Sequence, residues 1–159
     1  MREIKRILWP TDLSENSARA LPLVTSLSQK YGAEVHLLFV ADDISQVVNF
    51  YGEDHPAPVE EFHHWMMSKS QERMDRLCQS QLGGCPLYRK KIVVGDPAQE
   101  ILRYVEENDI DLVVMATHGH GWSTHQHRHG QLPFGSVSEE VVKHCPVPVL
   151  TVAPPRGDG

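Results

Sequence analysis

Leu112 to Ala116 (LVVMA) is an apolar run without polar alternation, and a second apolar run, Val147 to Val152, follows it within forty residues. A strand that is apolar on both faces has to be covered on both faces, which is the situation of a parallel sheet flanked by helices. Between the two runs lie a glycine- and histidine-rich loop and a helix predicted to open at Gly135-Ser136, with Ser136 as N-cap and Glu139 as its capping-box partner. Lys143 and His144 fill the last turn of that helix, and Pro146 stops it. A glycine directly before a helix start lets backbone N–H groups approach an anion, and the helix dipole favours phosphate there. The unit is a candidate phosphate cradle.

The rest of the chain repeats the strand-then-helix alternation. Ile4 to Trp9 reads as a strand running into Pro10-Thr11-Asp12, and Ser14 is placed to cap a helix from Glu15 to Tyr31. Ala20, Val24, Leu27 and Tyr31 share one face of that helix, and Gly32 ends it. Pro22 interrupts the pattern, at about 3 kcal/mol unless a kink absorbs it. Val35 to Val40 is the second strand, with His36 expected on its surface. After a polar, proline-punctuated connection from Asp42 to Val59, a helix is predicted to Gln81. Phe62, Met66, Met74, Leu77 and Cys78 line its inner face, widened by Trp65 and Met67. His63 and His64 on this helix point about 100° apart and make a poor chelating pair. Leu87 to Val94 is the third strand, its Arg89-Lys90-Lys91 marking a solvated edge. Asp96, Pro97 and Gln99 start the next helix, with Ala98, Ile101, Leu102 and Val105 as its stripe, and Asn108-Asp109 closes it. Pro148 suits an edge or a strand start in the last strand, and residues 154–159 are expected to be a disordered tail after a single domain of residues 1–153.

This order, β-α-β-α-β-α-β-α-β, gives a doubly wound open α/β sheet with right-handed crossovers. Ligands of such sheets bind beyond the carboxyl ends of the strands, where the winding direction reverses. If the first and fourth strands are central neighbours, Asp12 meets the loop running from Thr117 to Ser136. The pair supplies a carboxylate for ribose hydroxyls or a metal ion, and amides for phosphates. Composition narrows the partners. Fifteen Lys and Arg against 21 Asp and Glu give a net charge of -6, and no basic run of five or more appears, so nucleic acid is not expected as the main partner. Cys78, Cys85 and Cys145 lack metal or disulfide spacing. No apolar run reaches membrane-spanning length and no signal peptide precedes Arg2, so a soluble cytoplasmic domain is expected.

Four segments, ILWPTDLSENSARAL, GAEVHLLFV, VVGDPAQEIL and DLVVMATHGHG with GSVSEEVVKHCPVPVLTV, make the chain resemble the universal stress protein family over nearly its whole length. The resemblance implies a five-stranded sheet in the order 3-2-1-4-5 with the adenine nucleotide alpha hydrolase-like fold. It also implies a homodimer built through the last strand, Val147 to Val152, and, for one branch, ATP at the switch point. Carried over by position, Pro10, Thr11, Asp12 and Val40 fall on the ribose and adenine side. Ala116, Gly119, Gly135, Ser136 and Val137 fall on the phosphate side. The family motif is G-x-x-G, nine residues, then G-[S/T]. Here Ala116 stands at the first glycine, and 15 residues, His120 to Phe134, separate Gly119 from Gly135, six more than the motif has.

Two function classes follow for this resemblance. One is a regulatory module that binds ATP, with Mg²⁺, or a related adenine nucleotide. The other is a homodimeric stress-response interaction protein that binds no nucleotide and acts on partner proteins, its cleft filled by the segment from Trp122 to Phe134. Within the extra loop, His125, His127 and His129 share a face if extended and are candidate ligands for Zn or another transition metal. His118 reads as part of a family turn. Neither a Walker P-loop nor a G-x-S-x-G elbow occurs, so enzymatic turnover is not expected beyond slow ATP hydrolysis with Asp12 holding Mg²⁺.

Overall fold

A computed structural model describes residues 2–43, 57–83, 87–117 and 135–153, with the side chains of 57–59 left aside. Strands β1 (Arg6–Thr11), β2 (Glu34–Ala41), β3 (Tyr88–Val94), β4 (Leu112–Ala116) and β5 (Val149–Val152) form one parallel sheet in the order β3-β2-β1-β4-β5. The helices are α1 (Glu15–Ala18), α2 (Leu21–Tyr31), α3 (Ala57–Gln81), α4 (Pro97–Glu107) and α5 (Ser136–His144). The doubly wound expectation and the strand order are both borne out.

Strand periodicity splits the core into two layers. Ile7, Trp9, Val35, Leu37, Leu112 and Val114 face α2 and α3, burying Val24, Met74, Cys78 and Leu82 with them. Leu8, Leu38, Val113 and Met115 face α4 and α5, against Ile101, Tyr104, Val105 and Val141. Burial raises the thiol pKa of both Cys78 and Cys145, which act as small apolar side chains.

The position of the crevice follows from one residue. The Arg6 carbonyl accepts the Asp111 N–H at 2.9 Å, so its backbone faces β4. A two-residue period turns Leu8 and Pro10 to the same side. Proline has no N–H to give, and β1 pairs with β4 at Ile7↔Leu112 and Leu8↔Val113 alone. On its other side β1 stays paired with β2 as far as Thr11↔Phe39. The sheet therefore parts between β1 and β4 at its carboxyl end.

Several local expectations change. The helix expected from Glu15 to Tyr31 is two helices. Pro22 sits in the first turn of α2, where its missing N–H has no partner to lose, and the chain breaks before it instead of kinking through it. Tyr31 is exposed. Phe62 and Trp65, expected on the inner face of α3, are 51% and 56% exposed and stack on each other at 5.9 Å. The reason is length. At 25 residues α3 spans about 37 Å, and a six-residue strand about 20 Å, so only part of it covers the sheet. Asp96 caps α4 as expected, accepting from Gln99 N at 2.9 Å, and Asp109 takes the left-handed position (φ 50) that closes it. The last strand is shorter than expected, starting at Val149 after Pro148. Residues 154–159 lie outside the described residues.

His36, expected on the strand surface, is buried at 3% exposure beneath α4. Its Nδ1 shares a 2.8 Å hydrogen bond with Tyr104 Oη, and its Nε2 lies 3.5 Å from Glu34 Oε1 without hydrogen-bonding it. Burial holds the imidazole below its ordinary pKa, with Arg89 and Arg6 adding to the effect and Glu34 opposing it. A base whose pKa is depressed by folding binds its proton first in the unfolded chain. Stability accordingly falls as pH drops through and below the ordinary histidine value near 6.5. Urea midpoints taken at neutral and mildly acidic pH are expected to fall less in His36→Gln than in wild type. A variant that loses stability as steeply contradicts this account of His36.

Candidate functional site

The gap between β1 and β4 opens into a cavity of about 680 Å³, within the usual range for small-molecule sites. Pro10 and Thr11 from β1, Asp12 just after it, Val40 from β2, Ala116 from β4, and Gly135, Ser136 and Val137 from the start of α5 all line it. The structure thus brings together eight of the nine positions expected at a nucleotide site. The ninth, Gly119, lies outside the described residues. So do His118, the loop from His120 to Phe134, and with it His125, His127 and His129. Among the described residues no group of three or more His, Cys, Asp or Glu is placed to hold a metal ion. No described helix is long and apolar enough to cross a membrane.

The turn after β1 aims Asp12. Leu13 has φ 64, a left-handed conformation that costs a leucine on the order of 1–2 kcal/mol. Four interactions hold it there. Thr11 Oγ1 accepts from Leu13 N at 2.9 Å and from Ser17 Oγ at 2.6 Å. Asp12 Oδ1 accepts from Ser14 N at 2.9 Å, and Arg73 Nη2 donates to the Leu13 carbonyl at 2.9 Å. Ser14 then caps α1 through Ser17 N, and Trp9 Nε1 donates to the Ser17 carbonyl. Short polar side chains at positions 11, 12, 14 and 17 thus fix a strained turn on the cavity wall.

The opposite wall is the start of α5. Its N-cap is Gly135, not Ser136 as expected, and no side chain caps the helix. The difference comes from Ser138. Its single hydroxyl proton is shared between the Thr117 carbonyl at 2.6 Å and the Gly135 carbonyl at 3.0 Å, while Gly135 N donates to Thr117 O at 2.7 Å. These bonds dock the helix start onto the end of β4, one residue earlier than the capping-box pattern suggests. Gly135 gives the first-turn N–H groups of α5 no side-chain acceptor among the described residues, whereas Asp96 gives one to those of α4, and the start of α5 carries the positive end of the helix dipole on the cavity wall. Gly135 has φ -68 and ψ 163, which any residue adopts, so the backbone does not require a glycine at this position. Thr117 adds a further polar group. It is 5% exposed, it lines the cavity, and its Oγ1 has no hydrogen-bond partner among the described residues.

Helix α3 supplies a wall that reading the sequence missed. Met66, Ser70 and Arg73 line the cavity, and Ser70 Oγ is turned back onto the Met66 carbonyl at 2.9 Å. Their spacing of four and three residues places them on one helical face, but the apolar pattern of α3 drew attention to Met66 alone. Arg73 also lines an adjoining hollow of about 640 Å³, across the same Thr11–Leu13 wall, together with Arg76 and Ser80.

The chain is similar to known proteins over almost all of its length. It is 30% identical to the universal stress protein MJ0577 of Methanocaldococcus jannaschii, covering 93% of this chain and 94% of that protein. The solved structure of MJ0577 superposes with a TM-score of 0.79 at 27% identity, covering 98% of this chain and all of that one. Two more distant structures share the fold. A universal stress protein in complex with cAMP has a TM-score of 0.59 at 17% identity, covering 96% of this chain and 98% of that one. One from Arabidopsis thaliana with AMP bound has a TM-score of 0.57 at 17% identity, covering 97% and 94%. The universal stress protein family model matches residues 3–153, and with that match over the whole described fold the chain belongs to the universal stress protein family.

Proposed function

We propose that this protein is a regulatory module that binds ATP or a related adenine nucleotide in the crevice between β1 and β4. The observation that carries the reading is the cavity of about 680 Å³ with Asp12 on one wall and the glycine-capped start of α5 on the other. Asp12, aimed by the strained turn, accepts the ribose hydroxyls. Val40 and the apolar end of β2 pack against the adenine ring. The amides of Ser136 and Val137 and the hydroxyl of Thr117 receive the phosphates. The relatives solved with cAMP and with AMP support an adenine ligand for the fold. The decisive experiment is mass spectrometry of ligand released from native protein, combined with calorimetry against ATP. Asp12→Ala is expected to weaken ATP about tenfold or more by removing charge-assisted hydrogen bonds. Gly135→Ala is expected to fold normally and to lose affinity because a methyl blocks the amides. Absence of released nucleotide together with no heat at millimolar ATP contradicts the proposal.

We also infer that the protein assembles as a homodimer through β5. This strand is a sheet edge, and Leu150 on it and Val142 on α5 are exposed apolar side chains. Light scattering coupled to gel filtration is expected to give twice the chain mass for wild type and the single chain mass for Leu150→Lys. A wild-type mass of one chain removes the inference.

A further inference from the structure

We propose that Arg73 is a specificity-determining residue of this site, the cation that makes it prefer a phosphorylated adenine ligand to the uncharged nucleoside. The proposal rests on the nucleotide reading above. Three charged side chains line the cavity among the described residues: Asp12, Asp42 and Arg73. Take Arg73 away and the described lining carries two carboxylates and no cation. A phosphate entering such a site meets like charge, whereas an uncharged nucleoside does not. With Arg73 present, the positive charge and the start of α5 both favour the phosphate-bearing ligand.

The geometry supplies the donor as well as the charge. A guanidinium has five N–H donors in a planar fork, and the bond from Nη2 to the Leu13 carbonyl, at 2.9 Å, uses one of them. That anchor holds the fork one residue from Asp12, between the cavity and the adjoining hollow. Its stem rises from a fixed part of α3, since Ser70 and Met74 on either side of it are buried. Arg73 is itself solvent-accessible, so water screens it and its effect on affinity is moderate.

The test is calorimetry of the full chain at low salt against ATP, AMP and adenosine, with wild type, Arg73→Gln and Arg73→Lys. Wild type is expected to bind ATP more tightly than adenosine. In Arg73→Gln, ATP is expected to weaken about tenfold while adenosine stays within about twofold, and Arg73→Lys retains most of the preference. Arg73→Met keeps the apolar stem and replaces the glutamine variant should that one fail to fold. An unchanged ATP-to-adenosine ratio on loss of the charge overturns the proposal, as does an equal loss for both ligands, which marks a structural role. Wild type binding adenosine as tightly as ATP sinks the role of Arg73 and leaves the nucleotide reading standing. Wild type binding none of the three ligands overturns both.

Discussion

A missing hydrogen-bond donor in the middle of the sheet organises this molecule. Pro10 occupies a central strand, with its backbone turned toward β4 and no N–H to continue the ladder. A central proline is normally excluded from a sheet because it wastes an acceptor on the neighbouring strand. Here β1 and β4 have already begun to diverge, and the proline removes any advantage in closing them again. Everything that lines the cavity is there because those two strands separate after Leu8↔Val113 while β2 stays paired with β1. The ligand site is thus a property of backbone chemistry before any functional side chain is considered.

Two devices then shape the opening. On one side Leu13 is kept left-handed by bonds from Thr11, Asp12, Ser14 and Arg73, so that strain in a single residue is held by several partners. On the other, Ser138 draws the first turn of α5 onto Thr117, leaving Gly135 as a cap without a side chain. A helix longer than the sheet closes the third side. Its exposed Phe62 and Trp65 are the consequence of that overhang, and Arg73, beside the buried Met74, reaches the lip from the packed part of the helix.

The alternation of apolar runs and helix starts made the architecture legible, because unalternating strands such as Leu112–Ala116 admit few placements other than the middle of a parallel sheet. The switch-point residues were legible as well, being short motifs at strand ends. What escaped reading is tertiary. His36 occupies a strand position that periodicity leaves open, and only the arrival of Tyr104, 68 residues away, buries it. Arg73 looks like one more solvated charge on a long helix until the Leu13 carbonyl meets it across 60 residues. The cap of α5 falls at Gly135 because Ser138 bonds the Thr117 carbonyl just beyond β4, a tertiary contact that local sequence does not display.

The central claim is that the turn after β1 and the start of α5 act on one ligand in one crevice. Amide chemical shifts followed by NMR during an ATP titration test it most directly. The account predicts that the amides of Leu13 and Ser14 and those of Ser136 and Val137 move together along one saturating curve, with the β5 amides unaffected. Movement of one group without the other, or shifts confined to surfaces away from the crevice, would contradict it.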